Sequence, residues 1–329
     1  MATPFRAVSC SPSFLNFSPL RYPPPLRESD LLAAIASRSS NLGARFPHVL
    51  TGPGDDCAVV RIGNTDCLLT VDQVIEDRHF KKGTPLDLIA RKAIARSISD
   101  IAAMAGTPIC ALATGAFPKH FDQAKADELS VALKRWAEHW NCPLVGGDIA
   151  ALPRESDPLT LTVTVFGSTH PTRGPVLRSG AQSGDSIYVT GKLGGSFDPS
   201  TGLGKHLTFE PRLTEARALA DTLGTQLHAM MDLSDGLGRD AARIAAASRV
   251  RIELDSAALP IQDNARGWKQ AISEGEDYEL LFAASSPVPT HIAGTKVSKV
   301  GVVTSGSGCV ITAGGKQIDA SALGFEHSS

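Results

Sequence analysis

Residues 54–72 read Gly54-Asp55-Asp56-Cys57-Ala58-Val59-Val60-Arg61-Ile62-Gly63-Asn64-Thr65-Asp66-Cys67-Leu68-Leu69-Thr70-Val71-Asp72. Two apolar runs, Cys57–Ile62 and Cys67–Val71, flank the turn residues 63–66, which predicts a strand, a turn and a strand. Acids close both ends of this unit: Asp55-Asp56 follow Gly52-Pro53-Gly54, and Asp72 ends the second run. Working outward, Thr84-Pro85-Leu86-Asp87 predicts a helix start, with Thr84 as cap, Pro85 at the first position and an acid at the third. That helix carries Ile94, Ile98, Ile101 and Ala105 on one stripe, leaves Asp100 off it, and stops at Gly106. A strand over 109–117 follows. The next helix repeats the spacing at Leu129, Leu133, Trp136 and Trp140, so its tryptophans read as core. Leu144-Val145 then runs into Gly146-Gly147-Asp148, and 159–166 alternates as a strand.

The stretch 167–184 is rich in turn residues and predicts a domain boundary. Beyond it come a strand at 186–190, a helix over 215–223, and a strand at 230–233 leading into a helix over 236–248. Strands at 251–254 and 278–283 follow, then a hairpin around Ala313-Gly314-Gly315-Lys316. Strands and helices mix without a βαβ rhythm, so the class is α+β in two halves. Residues 28–168 form the expected N-terminal domain and 169–329 the C-terminal one. Residues 1–27 hold no Asp or Glu and include Pro23-Pro24-Pro25. They are taken as a disordered leader or a start placed too early, with an organelle transit peptide as the alternative to a cytoplasmic protein.

Composition narrows the function. Of 329 residues, 42% are apolar and 20% charged, the balance of a soluble globular chain. No apolar window is long enough for a membrane span. A net charge of −2 and 5% aromatic residues argue against nucleic acid as a partner. The six cysteines form no CxxC pair, which argues against a zinc site and against a disulfide framework.

The acids carry the chemistry. Besides Asp55, Asp56 and Asp72, Asp100 sits near a helix end and Asp148 follows a Gly-Gly pair. Asp232 and Asp235 straddle a strand-to-helix junction, and Glu276-Asp277 follow Gly275. Any one of them reads equally as a turn or a helix cap. Together, at strand ends beside glycines, they suit a hard cation such as Mg²⁺, which takes oxygen ligands and is often completed by substrate phosphates. That constellation fits phosphoryl transfer. There is no P-loop and no G-x-G-x-x-G, so a nucleotide would be held through metal-bridged phosphates.

Seven motifs now resemble, in order, those of the thiamine-monophosphate kinase family: 54–58, Thr70-Val71-Asp72 with His79-Phe80, 99–104, 146–148, 178–181, 232–237 and 275–280. The resemblance implies a two-domain PurM-like fold, shared with aminoimidazole ribonucleotide synthetase, and a homodimer built on the N-terminal domains. It implies ATP-dependent phosphorylation of thiamine monophosphate to thiamine diphosphate. By similarity, Asp55, Thr70, Val71 (through its backbone), Asp72, Asp100, Asp148, Asp232 and Asp235 would hold several Mg²⁺ ions. Gly147, Asp148, Arg178 and Ser234 would contact ATP, and His79, Glu276 and Phe325 the thiamine phosphate. The acceptor oxygen is already ionised, so no side-chain nucleophile or base is assigned, and direct in-line transfer is expected.

Several positions depart from the family pattern. Val71 replaces a hydroxyl residue, Ser97 an asparagine, Ile149-Ala150 hydroxyl residues and Glu274 a glycine, and the stretch 191–205 is short. They leave two rivals: another ATP-using enzyme of the fold, or a non-catalytic Mg·ATP-binding paralogue.

Overall fold

The computed structural model describes residues 28–325. Residues 1–27, expected to be a leader, and residues 326–329 lie outside them. Two short helices, α1 (Glu28–Arg38) and α2 (Leu42–Arg45), precede a six-stranded sheet. Its strands are β1 (Val49–Thr51), β2 (Ala58–Ile62), β3 (Thr65–Ile75), β4 (Thr107–Phe117), β5 (Leu144–Ala151) and β6 (Thr160–Ser168), in the order β1-β2-β3-β6-β4-β5. The first hairpin forms as the sequence predicts, with Ile62 opposite Thr65. All neighbours are antiparallel except β4 and β5.

Alternation fixes which face is core. In β6, Leu161, Val163 and Val165 are buried while the residues between them are half-exposed. Onto the buried face pack α3 (Leu86–Ala103) and, against α3, α4 (Gln123–His139). The opposite face carries Val71 and Leu112, which are exposed.

Helix α3 differs from expectation in two ways. Pro85, not Thr84, holds the cap position, with no side-chain cap bond. Its end is turned by Ala105, which takes the left-handed conformation (φ 57°) just before Gly106. The apolar stripe Ile94, Ile98, Ile101 and Ala105 is fully buried, but so is most of the rest of the helix. Besides β3 and β6, α3 contacts α5 (Lys205–Thr208), α6 (Leu213–Leu223) and β8 (Leu227–Asp232) of the second half. It lies between the two layers and is walled by both. Trp136 of α4 and Trp140, which caps its end, stack at 5.6 Å under the Arg91 guanidinium, and pack in the core as their spacing predicts.

The second, eight-stranded sheet runs β14-β13-β9-β12-β7-β10-β8, with β11 on β12. Its remaining strands are β7 (Ser186–Thr190), β9 (Arg251–Asp255), β10 (Leu280–Ala284), β11 (His291–Ile292), β12 (Thr295–Thr304), β13 (Gly308–Ala313) and β14 (Lys316–Asp319). Helices α7 (Leu237–Ser248) and α8 (Trp268–Ser273) belong to this half. Ala313 pairs with Lys316 in the predicted late hairpin. The class is α+β, as the sequence indicates. No helix among the described residues is long and apolar enough to cross a membrane.

Candidate active site

Three carboxylates converge where α3 meets both sheets. One oxygen each of Asp56, Asp100 and Asp232 lies within 4.8 Å of the others. Asp56 follows the loop into β2, Asp100 is near the end of α3, and Asp232 ends β8. Hydroxyls aim two of them: Thr70 donates to Asp100, and Ser99 donates to Asp232 at 2.5 Å. The Arg178 guanidinium clamps Asp56 through bonds of 2.6 and 3.2 Å. Burial, reinforced by neighbouring acids, pushes the Asp100 and Asp232 carboxyls well above the usual range. Negative charge concentrated on hard oxygen donors, with one arginine to offset it, is a donor set that fits Mg²⁺.

Other residues expected at a metal site lie beside the trio or apart from it, each held by another partner. Asp55 stands outside the trio, and its neighbour Asp56 takes the place. Asp55 instead accepts the backbone N–H of Arg178 at 3.1 Å, and its carboxyl is raised to about 7, first by burial and then by Asp56. Asp72 pairs with Arg96 at 3.2 Å. Asp235 pairs with Arg243 at 2.5 Å and faces a different space from Asp232. The Val71 side chain is on the exposed face of the sheet.

Asp148 is not at a strand end. Gly146, Gly147 and Asp148 lie inside β5, with Asp148 opposite Thr114, Thr114 opposite Thr162, and Thr162 opposite Gln73. That row lies on the face turned away from α3, because Asp72, next to Gln73, points at α3 through Arg96. Gly147 is required for strand pairing: a Cβ there would come within 1.8 Å of the Ala113 carbonyl oxygen.

Next to the trio opens a cavity of about 930 Å³. Its wall includes His79, Arg96, Ser234, Asp235, Glu276 and Phe325, so the three residues expected to bind substrate are gathered there from three distant parts of the chain. Backbone bonds fix Glu276 in place: its N–H donates to Ser234 O at 2.7 Å, and the Tyr278 N–H donates to Leu233 O at 2.8 Å. Glu276 (φ 64°) and Tyr278 (φ 50°) are both left-handed. Such residues cost about 1–3 kcal/mol each and persist only where their surroundings hold them. Gly275 permits the approach, since a Cβ there would lie 2.5 Å from Ser234 O.

Behind this wall stand residues that the sequence motifs do not include. Lys92 of α3 is fully buried, and its Nζ lies 2.6 Å from Glu276 Oε1, 2.6 Å from the His79 carbonyl and 3.0 Å from His206 Nδ1. Burial lowers the Lys92 ammonium to about 8, against the pull of Glu276. Burial would raise Glu276, but Lys92, the His206 hydrogen bond and Arg96 outweigh it and hold the carboxyl at about 2. The two partners differ because the lysine has lost all its water, while the glutamate side chain keeps 27% exposure. Glu274, one of the departures from the family pattern, is tied to the backbone. It accepts N–H bonds from Gly195 at 2.5 Å and Phe197 at 3.3 Å.

Comparison with known proteins bears on this arrangement. The chain matches the AIR synthase related protein models, the N-terminal domain over residues 54–169 and the C-terminal domain over 182–317. The thiamine-monophosphate kinase of Rhodopirellula baltica is 34% identical over 306 residues, 85% of this chain and 90% of the relative. The chain belongs to the thiamine-monophosphate kinase family. The Escherichia coli member is 33% identical over 275 residues, 74% of this chain and 78% of the relative. Among solved structures, AaThiL complexed with AMPPCP and TMP superposes with a TM-score of 0.75 at 27% identity, covering 92% of this chain and 97% of that one. The hydrogenase maturation protein HypE in complex with ATP, at 15% identity and TM-score 0.65 over 90% of this chain and 93% of that one, shares the fold alone.

Proposed function

We propose that this chain transfers the terminal phosphoryl group of ATP to thiamine monophosphate, giving ADP and thiamine diphosphate. The observation that carries it is the cavity that gathers His79, Glu276 and Phe325 beside the Asp56–Asp100–Asp232 trio. The family relationship and the AMPPCP and TMP bound to a structural neighbour support the same reading.

Asp56, Asp100 and Asp232 would hold Mg²⁺. When bound, the ion neutralises phosphate charge and withdraws electrons from the phosphoryl oxygens. The chain's own residues do the positioning. Thr70, Ser99 and Arg178 orient the three carboxylates. Glu276, kept ionised by Lys92, presents negative charge to the cationic thiazolium of thiamine, and Phe325 offers a face for stacking. The acceptor's phosphate oxygen attacks the terminal phosphorus in line and the bond to ADP breaks. That oxygen is already ionised, so no residue need take a proton. Gly147, Asp148 and Ser234 remain candidates for nucleotide contact.

A homodimer formed through the N-terminal sheet is part of this proposal. The sheet face away from α3 exposes Val71 and Leu112, and the β5 edge exposes Val145. Asp148 lies on that same face. A second copy seated there would cover Asp148. A cytoplasmic location suits the five described cysteines, all free.

The test is an assay of purified protein with ATP, Mg²⁺ and thiamine monophosphate, with thiamine diphosphate as the product measured. Product formation abolished by EDTA is expected. Mg·ATP binding without ADP release would favour the paralogue instead.

A further inference from the structure

Of the cations lining the cavity, Arg78, Lys81, Lys82 and Arg96, the one carried by α3 is Arg96. Arg96 projects from α3 one turn before Asp100, so it stands between the cavity and the carboxylate trio. Its guanidinium has five N–H donors. One donates to the Gln73 carbonyl at 3.1 Å and another to Asp72 at 3.2 Å, a long ion pair. Its Nε–H is buried with no hydrogen-bond partner among the described residues. Buried donors are ordinarily satisfied, and an arginine left short of acceptors beside a ligand cavity calls for an anion.

The other walls narrow the choice of anion. Glu276, on the same cavity, offers negative charge to a cation. A ligand that is cationic at one ring and carries a phosphate monoester meets complementary charge at both places, with its phosphate on the side of Asp100. Lys81, a second cation of the wall, is engaged by the Pro199 carbonyl at 2.6 Å and lies 5.5 Å from the Phe197 ring, away from α3.

We propose that Arg96 binds the phosphate of the acceptor and thereby selects a phosphorylated over an unphosphorylated thiamine, a step that rests on the function proposed above. Arg96 is a specificity residue: it holds the acceptor oxygen toward the trio while Asp72 and the Gln73 carbonyl keep the guanidinium in place.

Isothermal titration of the full chain with thiamine and with thiamine monophosphate, in Mg²⁺ and without ATP, measures the preference directly. Arg96→Gln and Arg96→Lys are compared with wild type, and AMPPCP affinity and melting temperature are recorded for each. Arg96→Gln is expected to weaken thiamine monophosphate about tenfold or more, the scale of a charge-assisted bond, with thiamine and AMPPCP affinities unchanged. Arg96→Lys should recover part of the loss. A wild-type preference for the monophosphate that survives Arg96→Gln overturns the proposal while leaving the function intact. So does a loss confined to AMPPCP, which would make Arg96 only a partner for Asp72. A wild type that binds both thiamines equally also overturns this proposal, whereas failure of the function shows separately, as absence of thiamine diphosphate in the assay above.

Discussion

The Lys92 ammonium reaches Glu276 Oε1 and the His79 carbonyl oxygen at 2.6 Å each, so one buried cation holds two cavity-wall residues from opposite halves of the chain. Removing it leaves a mostly buried carboxylate with weaker compensation. Lys92→Met is expected to destabilise the fold by ~2–4 kcal/mol, somewhat below a fully buried pair because Glu276 is partly solvated. Urea denaturation measures this. In Lys92→Met/Glu276→Gln the two losses should be less than additive; strict additivity would mean that the pair is not coupled.

The same pair predicts an acid limb in stability. Glu276 is held at about 2 in the folded chain against an ordinary 4.5. Its contribution is therefore complete above 4.5 and is lost as pH falls from 4.5 toward 2, where the unfolded chain takes up a proton first. The melting-temperature gap between wild type and Glu276→Gln should be wide at pH 6 and narrow at pH 3. A gap that stays constant would rule out this assignment.

The trio predicts the opposite sign. The Asp100 carboxyl lies well above its ordinary 3.8, owing to burial and then to Asp72, Asp232 and Asp56. The stability it gives at low pH is lost as pH rises toward the folded value, so at neutral pH without metal its charge opposes folding. Asp100→Asn should melt at or above the wild-type temperature in EDTA. It should lose the rise in melting temperature that Mg²⁺ gives the wild type, and turnover should drop on the order of a hundredfold or more. An Asn variant that still responds to Mg²⁺ would remove Asp100 from the metal site.

Asp148 supplies a test of subunit sharing. If it serves a neighbouring copy's site, Asp148→Asn and Asp100→Asn should each be nearly inactive alone. Co-refolded together they should regain activity, because a mixed dimer contains one site with both aspartates intact. No recovery from dimers shown to be mixed would place Asp148 at its own chain's site or at none.

The elements were largely legible in the sequence because hydrophobic period reports which face is buried: the β2–β3 hairpin, α3, α4 and the alternating β6 all follow from spacing. What spacing could not show was a helix buried on every side. Lys92 and Arg96 lie off the apolar stripe of α3, and the partners that let a lysine be buried there, His79, His206 and Glu276, all lie outside the helix. The choice between Asp55 and Asp56 was equally out of reach. Adjacent residues point different ways, and the loop after Gly54 sends one to a backbone N–H and the other to the trio. Gly146-Gly147 looked like a strand end because glycine so often marks a turn. Here Gly147 is inside a strand because β4 comes too close for a side chain. Glu274, ahead of Gly275-Glu276, does line the cavity, and two backbone N–H groups hold its carboxylate.

Helix α3 has one consequence for how such a sequence can change over time. From Ile89 to Ala103 no residue is exposed, so the helix has no face on which substitutions are free. Exchanges there must suit two cores, or a carboxylate site and a cavity, at once. Drift should therefore collect in the loops and on α4, while α3 changes only in concert with partners far away in the chain.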